Sequence, residues 1–540
     1  MTVALMTLAL GTAALSAPAG GTAGASALSV APTSSRPAPG KIKLASLSTG
    51  ARAWFNGPQA VASTRSASRA RIALGTNVDA ADPNEDLAAG QAETAVAAAG
   101  STVVTGWNDA TGFLVQPSTD RRASLTGLGV STDRGRHIRD LVGLRNNQPN
   151  QQWFGDPTVV AVNASTFIVG SLYFPSTVID CSPGHQARLQ LAVEVLTLSA
   201  TGAATLGLPV VSADGGDVCS VTPSPGLAIV DKAWLSYDRT TRTLAMSYTR
   251  FFFGIGGQSG TGQIETVRAH LPSDPRSLTA ADWSSPITVW PEEPATLNEG
   301  AYVSVASNGD CYLSWERNVN SNLVNGDPFV YIHAARVRAG AVAPIVGGPA
   351  FPRIVTLGQR NSNGAGGVKS LDAVVIAGFN RGTGQDFPRI AVNPVAKTVI
   401  VVWNDASAHP LGDIWMRALP LNLSITAPIR KVNGDNSFAL HFLPAVSVRA
   451  NGAIATSWYD RRLTGPDSSR TDYFGEVRSS SALNATDFRI STGSTDWANT
   501  STLSTPNFGD YTDNASTATT TYFSWTDGRI GVPQPFVDSH

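Results

Sequence analysis

Charge is scarce in this sequence and almost evenly balanced. Only 15% of the 540 residues are charged, and 39 Lys and Arg against 40 Asp and Glu leave a formal net charge of −1. Proteins that hold nucleic acids or anionic membranes concentrate an excess of basic side chains on one surface. Because such an excess and any long basic run are missing, we predict no nucleic-acid partner.

Cysteine and histidine are also rare, with 3 and 7 residues, and none falls at the short spacings typical of metal-ligand motifs. Cys311 lies in an alternating, strand-like segment that predicts a buried thiol. Cys181 and Cys219 lie in polar loop sequence, where an exported protein could pair them as a disulfide. The dinucleotide, P-loop, nucleophile-elbow and zinc-protease motifs are missing too, and we predict no metal and no cofactor.

No run of about 20 apolar residues follows the N-terminal segment, so no membrane span is predicted. Residues 1–27 combine a short apolar stretch with small residues and cleavage-type patterns that end at Ala17 or Ala27, as in a secretory signal peptide. Residues 28–69 are rich in Ser, Ala, Pro and Arg and predict a flexible leader. We therefore expect a secreted, extracellular, monomeric protein whose folded domain covers residues 70–540.

What the sequence has in abundance is a repeated hairpin pattern. Seven units each contain a β-rich run, a tight turn and a second β-rich run that ends in an aromatic residue, as in "FLPAVSVRANGAIATSWYDRR". Third and fourth strand-like segments follow most units, which predicts an all-β, seven-bladed β-propeller with four-stranded blades. The aromatic anchors, expected to pack between neighbouring blades, are Trp107, Tyr173, Tyr248, Trp315, Trp403, Trp458 and Trp525.

The seventh unit stops after its third strand-like segment. Residues 70–79, "ARIALGTNVD", match the fourth-strand segment "APIRKVNGD" of another unit. We predict that this N-terminal strand completes the last blade and closes the ring, because closure leaves no sheet edge exposed at the junction.

The segment "STDRGRHI" places Ser131, Asp133 and Gly135 in an S-x-D-x-G pattern. It resembles the Asp box of the sialidase-like, BNR-repeat propellers, and the endings "SWYDRR" and "SWTDGR" resemble those of exported sialidase-like propellers. This resemblance extends over residues 70–540. It implies a propeller fold, a carbohydrate or glycoconjugate partner and, for a catalytic member, glycoside hydrolase activity of the exo-sialidase kind. In that family the Asp box is a turn between the third and fourth strands, away from the catalytic centre.

The chain also departs from the sialidases proper. They are six-bladed and carry an F/Y-R-I-P motif, whereas this chain has seven units and the permuted "FPRI" at residues 351–354 and 387–390. The resemblance therefore indicates the fold more specifically than the chemistry.

Propeller geometry places the candidate site on one face, which we call the mouth. The loops that follow the second strands are long and irregular, and variable loops on a rigid scaffold usually carry the site. Ionisable residues at the starts of inner strands and at the ends of second strands converge there. We predict catalytic roles for Asp156, Asp510 and Tyr511, with Tyr511 as a sialidase-type nucleophile. The predicted ligand-binding residues are Asp231, Lys232, Glu299, Arg389, Arg461, Arg462 and Arg529.

Two functions remain open from the sequence. A glycoside hydrolase needs an accessible carboxyl pair, or a Tyr with a carboxylate, beside Arg donors. A non-catalytic propeller that binds glycan, cell-wall polymer or protein would instead hold its acidic and Arg residues in mutual salt bridges. A third hypothesis places Ca²⁺ at the carboxylate-rich mouth. Repetition favours structural braces for the Asp of the W-x-D motif, namely Asp109, Asp405, Asp460 and Asp527.

Overall fold

The structure is a computed structural model of this chain. The described residues are 76–82, 90–115, 118–176, 188–217, 227–253, 261–293, 296–319, 329–338, 341–342, 353–355, 368–369, 387–465, 469–479, 485–500 and 509–540. The predicted signal peptide and leader lie outside these residues, as do Cys181 and Cys219. Cys311 is buried and is a free thiol, as predicted.

Seven small antiparallel sheets make up the described part of the chain. The only described helices are single 3₁₀ turns, and none is long and apolar enough to cross a membrane. These turns are Ala110–Phe113, Arg121–Ala123, Pro275–Ser277 and Ala280–Asp282.

The strands follow in chain order, each blade beginning with its inner strand. Before the first blade comes β1 (Val78–Asp79). Blade one contains β2 (Gln91–Ala99), β3 (Thr102–Asp109), β4 (Thr126–Ser131) and β5 (Arg139–Asp140). Blade two contains β6 (Gln152–Trp153), β7 (Thr158–Asn163), β8 (Thr166–Phe174), β9 (Arg188–Leu198), β10 (Ala204–Leu206) and β11 (Val210–Asp217). Blade three contains β12 (Leu227–Asp238), β13 (Thr243–Phe253), β14 (Thr261–His270) and β15 (Ile287–Trp290).

The remaining four blades repeat the plan. Blade four contains β16 (Thr296–Val305), β17 (Cys311–Val319), β18 (Phe329–Arg338), β19 (Ala341–Val342), β20 (Arg353–Ile354) and β21 (Val368–Lys369). Blade five contains β22 (Arg389–Asn393), β23 (Thr398–Asp405), β24 (Asp413–Pro420) and β25 (Arg430–Lys431). Blade six contains β26 (His441–Val448), β27 (Ile454–Asp460), β28 (Arg470–Arg478), β29 (Phe488–Arg489) and β30 (Thr495–Asp496). Blade seven contains β31 (Asp513–Ser516), β32 (Thr521–Asp527) and β33 (Gln534–Ser539).

The predicted seven-bladed propeller is confirmed. The inner strands β2, β7, β12, β16, β22, β26 and β31 contact one another in ring order, and β31 returns to β2. Each sheet has an inner strand, a second strand and a third strand, and short segments form the outer edge. In blade two the inner strand is interrupted, so that β6 and β7 both pair with β8.

The aromatic anchors fill the space between blades. Trp107, Trp315, Trp403 and Trp458 are completely buried, and Trp525 is nearly so. Each packs into apolar side chains of the preceding blade; for example, the Trp525 indole stacks on Tyr473 of blade six at 5.1 Å between ring centroids. Truncating a buried Trp to Ala typically costs about 3–5 kcal/mol, so these contacts are a large part of what holds the ring together.

The blade-two anchor Tyr173 is buried and packs with apolar side chains of blade one, as predicted, but it lies at a different register position from the other anchors. Gly170 pairs with Thr158 of the inner strand as Gly106 pairs with Ala95 in blade one, which places Ser171 at the position of Trp107. Tyr173 lies two residues further along. Because residues i and i+2 of a strand share a face, an aromatic residue at either position produces the same alternating pattern.

The described part of strand β1 closes the ring, as predicted. Val78 pairs with Val537 and Asp79 pairs with Phe536, so β1 forms the fourth strand of blade seven. Residues 70–75 of the predicted strand lie outside the described residues. The turn between the third and fourth strands of blade one is the Ser131 to Gly135 segment, where the Ser131 hydroxyl donates to Asp133 at 2.7 Å and accepts from the Gly135 amide at 2.9 Å.

Asn77 fastens this closing strand to both last blades. Its buried amide donates to the Ile490 carbonyl at 2.9 Å and to Asp538 at 2.6 Å, and its oxygen accepts from the Thr492 amide at 2.7 Å. We predict that Asn77→Ala lowers the free energy of unfolding by roughly 2–3 kcal/mol, because several buried groups lose their partners at once. The urea midpoint of the full chain measures this loss.

Thr76→Ala is the matched control. The exposed Thr76 hydroxyl donates to the same Asp538 at 2.8 Å, and water replaces it when it is removed. A change of less than about 0.5 kcal/mol is therefore expected for this variant. Equal destabilisation by the two substitutions would contradict the fastening role of Asn77.

Candidate functional site

The inner strands share a bulge at the mouth end. The strand register slips between Ala92 and Ala95, between Asp231 and Trp234, and between Phe442 and Ala445, and blade four has the same irregularity. A bulge re-aims a side chain and sharpens the local twist. The residues that take the left-handed conformation at this register position are Glu93, Asp156, Lys232, Gly300 and Leu443, with φ between 50° and 66°.

Only one of these five positions is a glycine. A left-handed conformation costs a non-glycine residue about 1–2 kcal/mol, so the fold holds several strained residues at one end of the axis. Strain of this kind persists where the surrounding structure over-determines it, and it concentrates at functional sites. Glu93, Asp156 and Lys232 are also ionisable, which makes these bulges the first candidates for chemistry.

Side chains from blades that are not neighbours meet at this point. Lys232 of blade three donates to Asp510 of blade seven, with 2.7 Å between Nζ and Oδ2, and both side chains are buried. Trp234 of blade three lies edge-on to Tyr511 of blade seven at 5.7 Å. Contacts between blades three and seven can form only across the propeller axis. We call this group, Glu93, Asp156, Asp231, Lys232 and Asp510, the axial cluster.

Backbone amides orient the carboxylates of the axial cluster. The Lys232 amide donates to Asp156 Oδ2 at 3.0 Å, and the Asp510 amide donates to Glu93 Oε1 at 3.1 Å. Asn108 bridges two blades, since its Nδ2 donates to Glu93 while its Oδ1 accepts from the Asp156 amide. The cluster is therefore held by backbone amides and by Asn108, with Glu93 and Lys232 in inner strands and Asp156 and Asp510 shortly before two others.

The pKa of Asp156 is raised well above its ordinary value. Burial is the largest cause, followed by the negative charges of Asp231 and Glu93, and the hydrogen bond shared with the Asp231 carboxyl acts in the same direction. The nearby Lys232 charge opposes these effects only in part. These effects favour the protonated form of Asp156, which lies beside the ion pair of Lys232 with Asp510.

Tyr511 lies against the axial cluster, but its hydroxyl is occupied. It donates to the Pro157 carbonyl at 3.1 Å. Burial and the charges of Asp156 and Glu93 raise the pKa of the phenol well above its usual range. Such a phenol stays protonated at neutral pH, which favours a packing and positioning role over the predicted nucleophilic one.

Arg389 lies beside the cluster in an aromatic cage. Its guanidinium is 3.8 Å from the centre of the Trp234 ring and 4.2 Å from that of Tyr302. It also donates to Asp513 at 2.7 Å and to the Thr512 carbonyl at 3.0 Å. Burial raises the pKa of Asp513 to about 6, although the Arg389 charge opposes this.

The remaining predicted Arg residues bind to side chains of their own part of the ring. Arg462 contacts Asp460 at 2.7 Å and Asp487 at 2.6 Å, and Arg529 pairs with Asp527. Arg461 donates to the Thr471 hydroxyl at 3.1 Å, and burial lowers its pKa to about 10. The contacts of these three residues thus lie within blades six and seven and their loops.

The W-x-D motif is a brace in three of its four copies. In the fourth, the Trp107 indole nitrogen makes no hydrogen bond within the described residues, and Asp109 accepts from the Thr111 amide and the Gln91 side chain. The indole nitrogen of Trp458 donates to Asp460 at 2.8 Å, and Trp403 and Trp525 make the same bond at 2.9 Å to the Asp two residues on. The other oxygen of each Asp accepts a backbone amide of the following loop. These carboxylates therefore fix the strand ends.

The structure thus brings together five predicted site residues: Asp156, Asp231, Lys232, Asp510 and Tyr511. Arg389 lies in the adjacent cage, and Glu299 is buried at the equivalent bulge of blade four. The sequence prediction missed Glu93, Asn108, Trp234 and Tyr302. An alignment of "AETAV" with "GDPTV" and "DKAWL" would have placed Glu93 at the position of Asp156 and Lys232.

Two groups of side chains have the donor types to hold a cation. In the axial cluster, the Lys232 ammonium already contacts Asp510 and lies 4.8 Å from the centre of the Phe387 ring. This ammonium supplies the positive charge that Ca²⁺ would have brought. The second group is His409, Asp413 and His441, between blades five and six. The spacing of these residues in the sequence did not indicate it.

No protein-family model matches the chain, and no curated protein matches it. Solved structures with a similar fold include an α-L-arabinanase from Penicillium chrysogenum complexed with arabinobiose, at 10% identity, 72% coverage of this chain, 94% coverage of that chain and a TM-score of 0.37. An α-L-arabinofuranosidase from Fusarium graminearum has 14% identity, coverages of 78% and 99%, and a TM-score of 0.38. A Hadza microbial sialidase has 11% identity, coverages of 77% and 73%, and a TM-score of 0.38. Identities this low assign no substrate to the chain.

The raised pKa of Asp156 predicts a pH dependence of stability. Above pH 4 the unfolded chain releases the Asp156 proton while the folded chain keeps it, so this residue's contribution falls by about 1.4 kcal/mol per pH unit up to the folded pKa. Asn needs no proton and still donates to Asp231. Asp156→Asn is therefore expected to gain stability relative to wild type as the pH rises from 4 to 8, measured by urea midpoints.

Asp120→Asn is the control with the opposite sign. Hydrogen bonds from the Arg122 side chain and amide lower the pKa of Asp120, and a guanidinium keeps its charge throughout this pH range. Its stabilising contribution is complete above the unfolded pKa and is lost only in acid. The difference between this variant and wild type should stay constant from pH 5 to 8. The same flat profile for Asp156→Asn would mean that Asp156 is ionised in the folded protein.

Proposed function

We propose that this protein is a carbohydrate-active propeller that binds a glycan at the axial cluster and hydrolyses a glycosidic bond there. Asp156 is the general acid and Asp510 is the second carboxylate. The observation that carries the proposal is the contrast between the two groups: Asp156 has a raised pKa, whereas Asp510 is ion-paired with Lys232 at 2.7 Å. Glycoside hydrolysis requires one protonated and one ionised carboxyl group, which only different environments provide at neutral pH.

The strained bulges support a catalytic role for this pair. Asp156 takes its left-handed conformation directly before Pro157, a position that strongly disfavours it in an unconstrained chain. The fold maintains this cost at a residue whose pKa burial raises well above its ordinary value. Preorganised charge on rigid strands is the usual way in which an enzyme stabilises a charged transition state.

The surroundings of the cluster suit a sugar. Trp234 and Tyr302 present aromatic rings beside the carboxylates, and Arg389 supplies a planar donor between them. Ligand sites commonly combine aromatic walls with a few fixed polar groups in this manner. In the proposal these residues position the glycan, and Tyr511 supports Pro157 and hence the backbone of Asp156.

A second candidate function is glycan binding without catalysis. It is favoured by the mutual ion pairs of Lys232 with Asp510 and of Arg389 with Asp513, and by the burial of Asp156, which is 0% exposed. Charges that satisfy one another stabilise a scaffold and leave fewer groups for chemistry. In either form we propose an exported protein, as its N-terminal sequence predicts.

Hydrolysis of aryl glycosides, α-L-arabinofuranosides and sialosides included, tests the catalytic form. Asp156→Asn is expected to lower kcat/KM by about 10²–10⁴-fold on substrates with poor leaving groups, because general acid catalysis contributes that much. With a dinitrophenyl leaving group, which departs without a proton, the loss should be much smaller. Asp510→Asn should be impaired on both kinds of substrate.

Two further variants complete the design. Tyr511→Phe should retain activity within about tenfold, since its hydroxyl only donates to a carbonyl; a loss as large as that of Asp510→Asn would restore the nucleophile hypothesis. Asp133→Asn, in the remote turn of blade one, should match wild type. Glycan binding without turnover would support the second candidate, and the absence of both would contradict the proposal.

A further inference from the structure

A second cluster of ionisable side chains lies between blades five and six. His409 belongs to the loop between β23 and β24, Asp413 begins β24, and His441 begins β26. Each offers one ligand atom, and these atoms all lie within 4.8 Å of one another. The group stands apart from the axial cluster, and the proposed function does not use it.

The buried imidazole of His409 lacks hydrogen-bond partners in the described structure. Its side chain is 8% exposed, yet neither ring nitrogen makes a hydrogen bond in the described structure. Nε2 lies 3.3 Å from Asp413 Oδ2 without the alignment of a hydrogen bond. A buried polar group without a partner costs about 1–3 kcal/mol, so a cation that this nitrogen could bind would remove a real penalty.

Asp413 is oriented by groups behind it. Asn433 Nδ2 donates to its Oδ1 at 2.8 Å and Lys431 Nζ donates to the same oxygen at 3.1 Å. These bonds leave Oδ2 turned towards His409. Metal-binding carboxylates are typically held in this way by a second layer of hydrogen bonds.

His441 has one ring nitrogen fixed and the other facing negative charge. Nδ1 donates to the Gly412 carbonyl at 3.0 Å, whereas Nε2 lies 3.2 Å from Asp435 Oδ1 and 3.4 Å from Asp460 Oδ2. In a neutral imidazole with this tautomer, the Nε2 lone pair would face two carboxylates. The Asn433 Nδ2 lies 3.4 Å from Nε2, but its two hydrogens already face Asp413 at 2.8 Å and Asp435 at 2.7 Å. A proton or a metal ion on Nε2 turns this repulsion into attraction.

The cluster also lacks positive charge. Four carboxylates, Asp413, Asp435, Asp460 and Asp487, are joined through salt bridges to two permanent cations, Lys431 and Arg462. Buried charges that are not compensated in this way are costly. One divalent cation would balance the cluster with both histidines neutral.

We propose that His409, Asp413 and His441 bind one divalent transition-metal ion, of which Zn²⁺ is the best fit. Imidazole nitrogens favour Zn²⁺, Co²⁺, Ni²⁺ and Cu²⁺, whereas Ca²⁺ and Mg²⁺ prefer oxygen ligands alone. Ligand atoms of a tetrahedral zinc site lie about 3.3 Å apart, a value that follows from bond lengths near 2 Å. His409 Nε2 and Asp413 Oδ2 already have this separation, at 3.3 Å. His441, from the neighbouring blade, offers a ring nitrogen within 4.8 Å of both atoms.

The test uses the full chain, freed of metal by dialysis against a chelator. Co²⁺ titration is expected to give visible absorption bands that saturate at one equivalent and are displaced by Zn²⁺ but not by Ca²⁺. Zn²⁺ should also raise Tm. His409→Gln should weaken Co²⁺ and Zn²⁺ binding by about 100-fold or more, since loss of a supporting residue alone costs 10–100-fold.

His137→Gln is the control, because His137 is exposed and pairs with Asp133 in the remote turn of blade one. It should bind metal as wild type does. His409 lies in a loop, so its variant should fold, which its unchanged Tm without metal would verify. Equal binding by wild type and His409→Gln, or no saturable Co²⁺ bands, would overturn the proposal and leave protons as the ions that balance this cluster.

Discussion

The rest of the structure depends on the packing of one blade against the next. Each sheet is apolar on both faces, so no blade can exclude water from its faces alone. The buried anchors such as Trp315 and Trp458 insert into the apolar side chains of the preceding blade, and this contact recurs around the ring. Because every interface needs two blades, the ring becomes stable only as a closed set, and strand β1 supplies the last piece.

A closed ring can maintain strain that an open sheet would release. At the mouth end, Glu93, Asp156 and Lys232 keep left-handed backbones, and their ionisable groups meet away from water. Burial then governs the chemistry, because it raises the pKa of Asp156. Asp510, in contrast, is paired with the Lys232 ammonium at 2.7 Å. The scaffold and the candidate site are therefore two results of the same packing, since rigid walls both impose the conformation and exclude the solvent.

The sequence pattern predicted the architecture because repetition is visible in a single chain. Seven hairpins, their anchors and the displaced last strand all follow from residue alternation. Positions that depend on register were harder: Tyr173 and Ser171 share a face, so only strand pairing tells them apart. Asp156, Asp510 and Lys232 could be predicted because strand starts face the mouth. Glu93 was missed because its equivalence to Asp156 and Lys232 appears only when the starts of the inner strands are aligned with one another. His409 and His441 were missed because contact between neighbouring blades joins residues that are distant in the chain.

The closing strand also determines the order in which this protein can be completed. Asn77 and Asp538, which bond to each other, are separated by 461 positions in the chain. At synthesis rates of 5–20 residues per second, β1 waits roughly half a minute or longer for β33 to leave the ribosome. During that time the growing array has an unpaired sheet edge, and such edges recruit other chains. In the described part of β1 two residues pair with β33, and one of them is the charged Asp79, whose side chain at the sheet edge opposes pairing with other chains while the ring is still open.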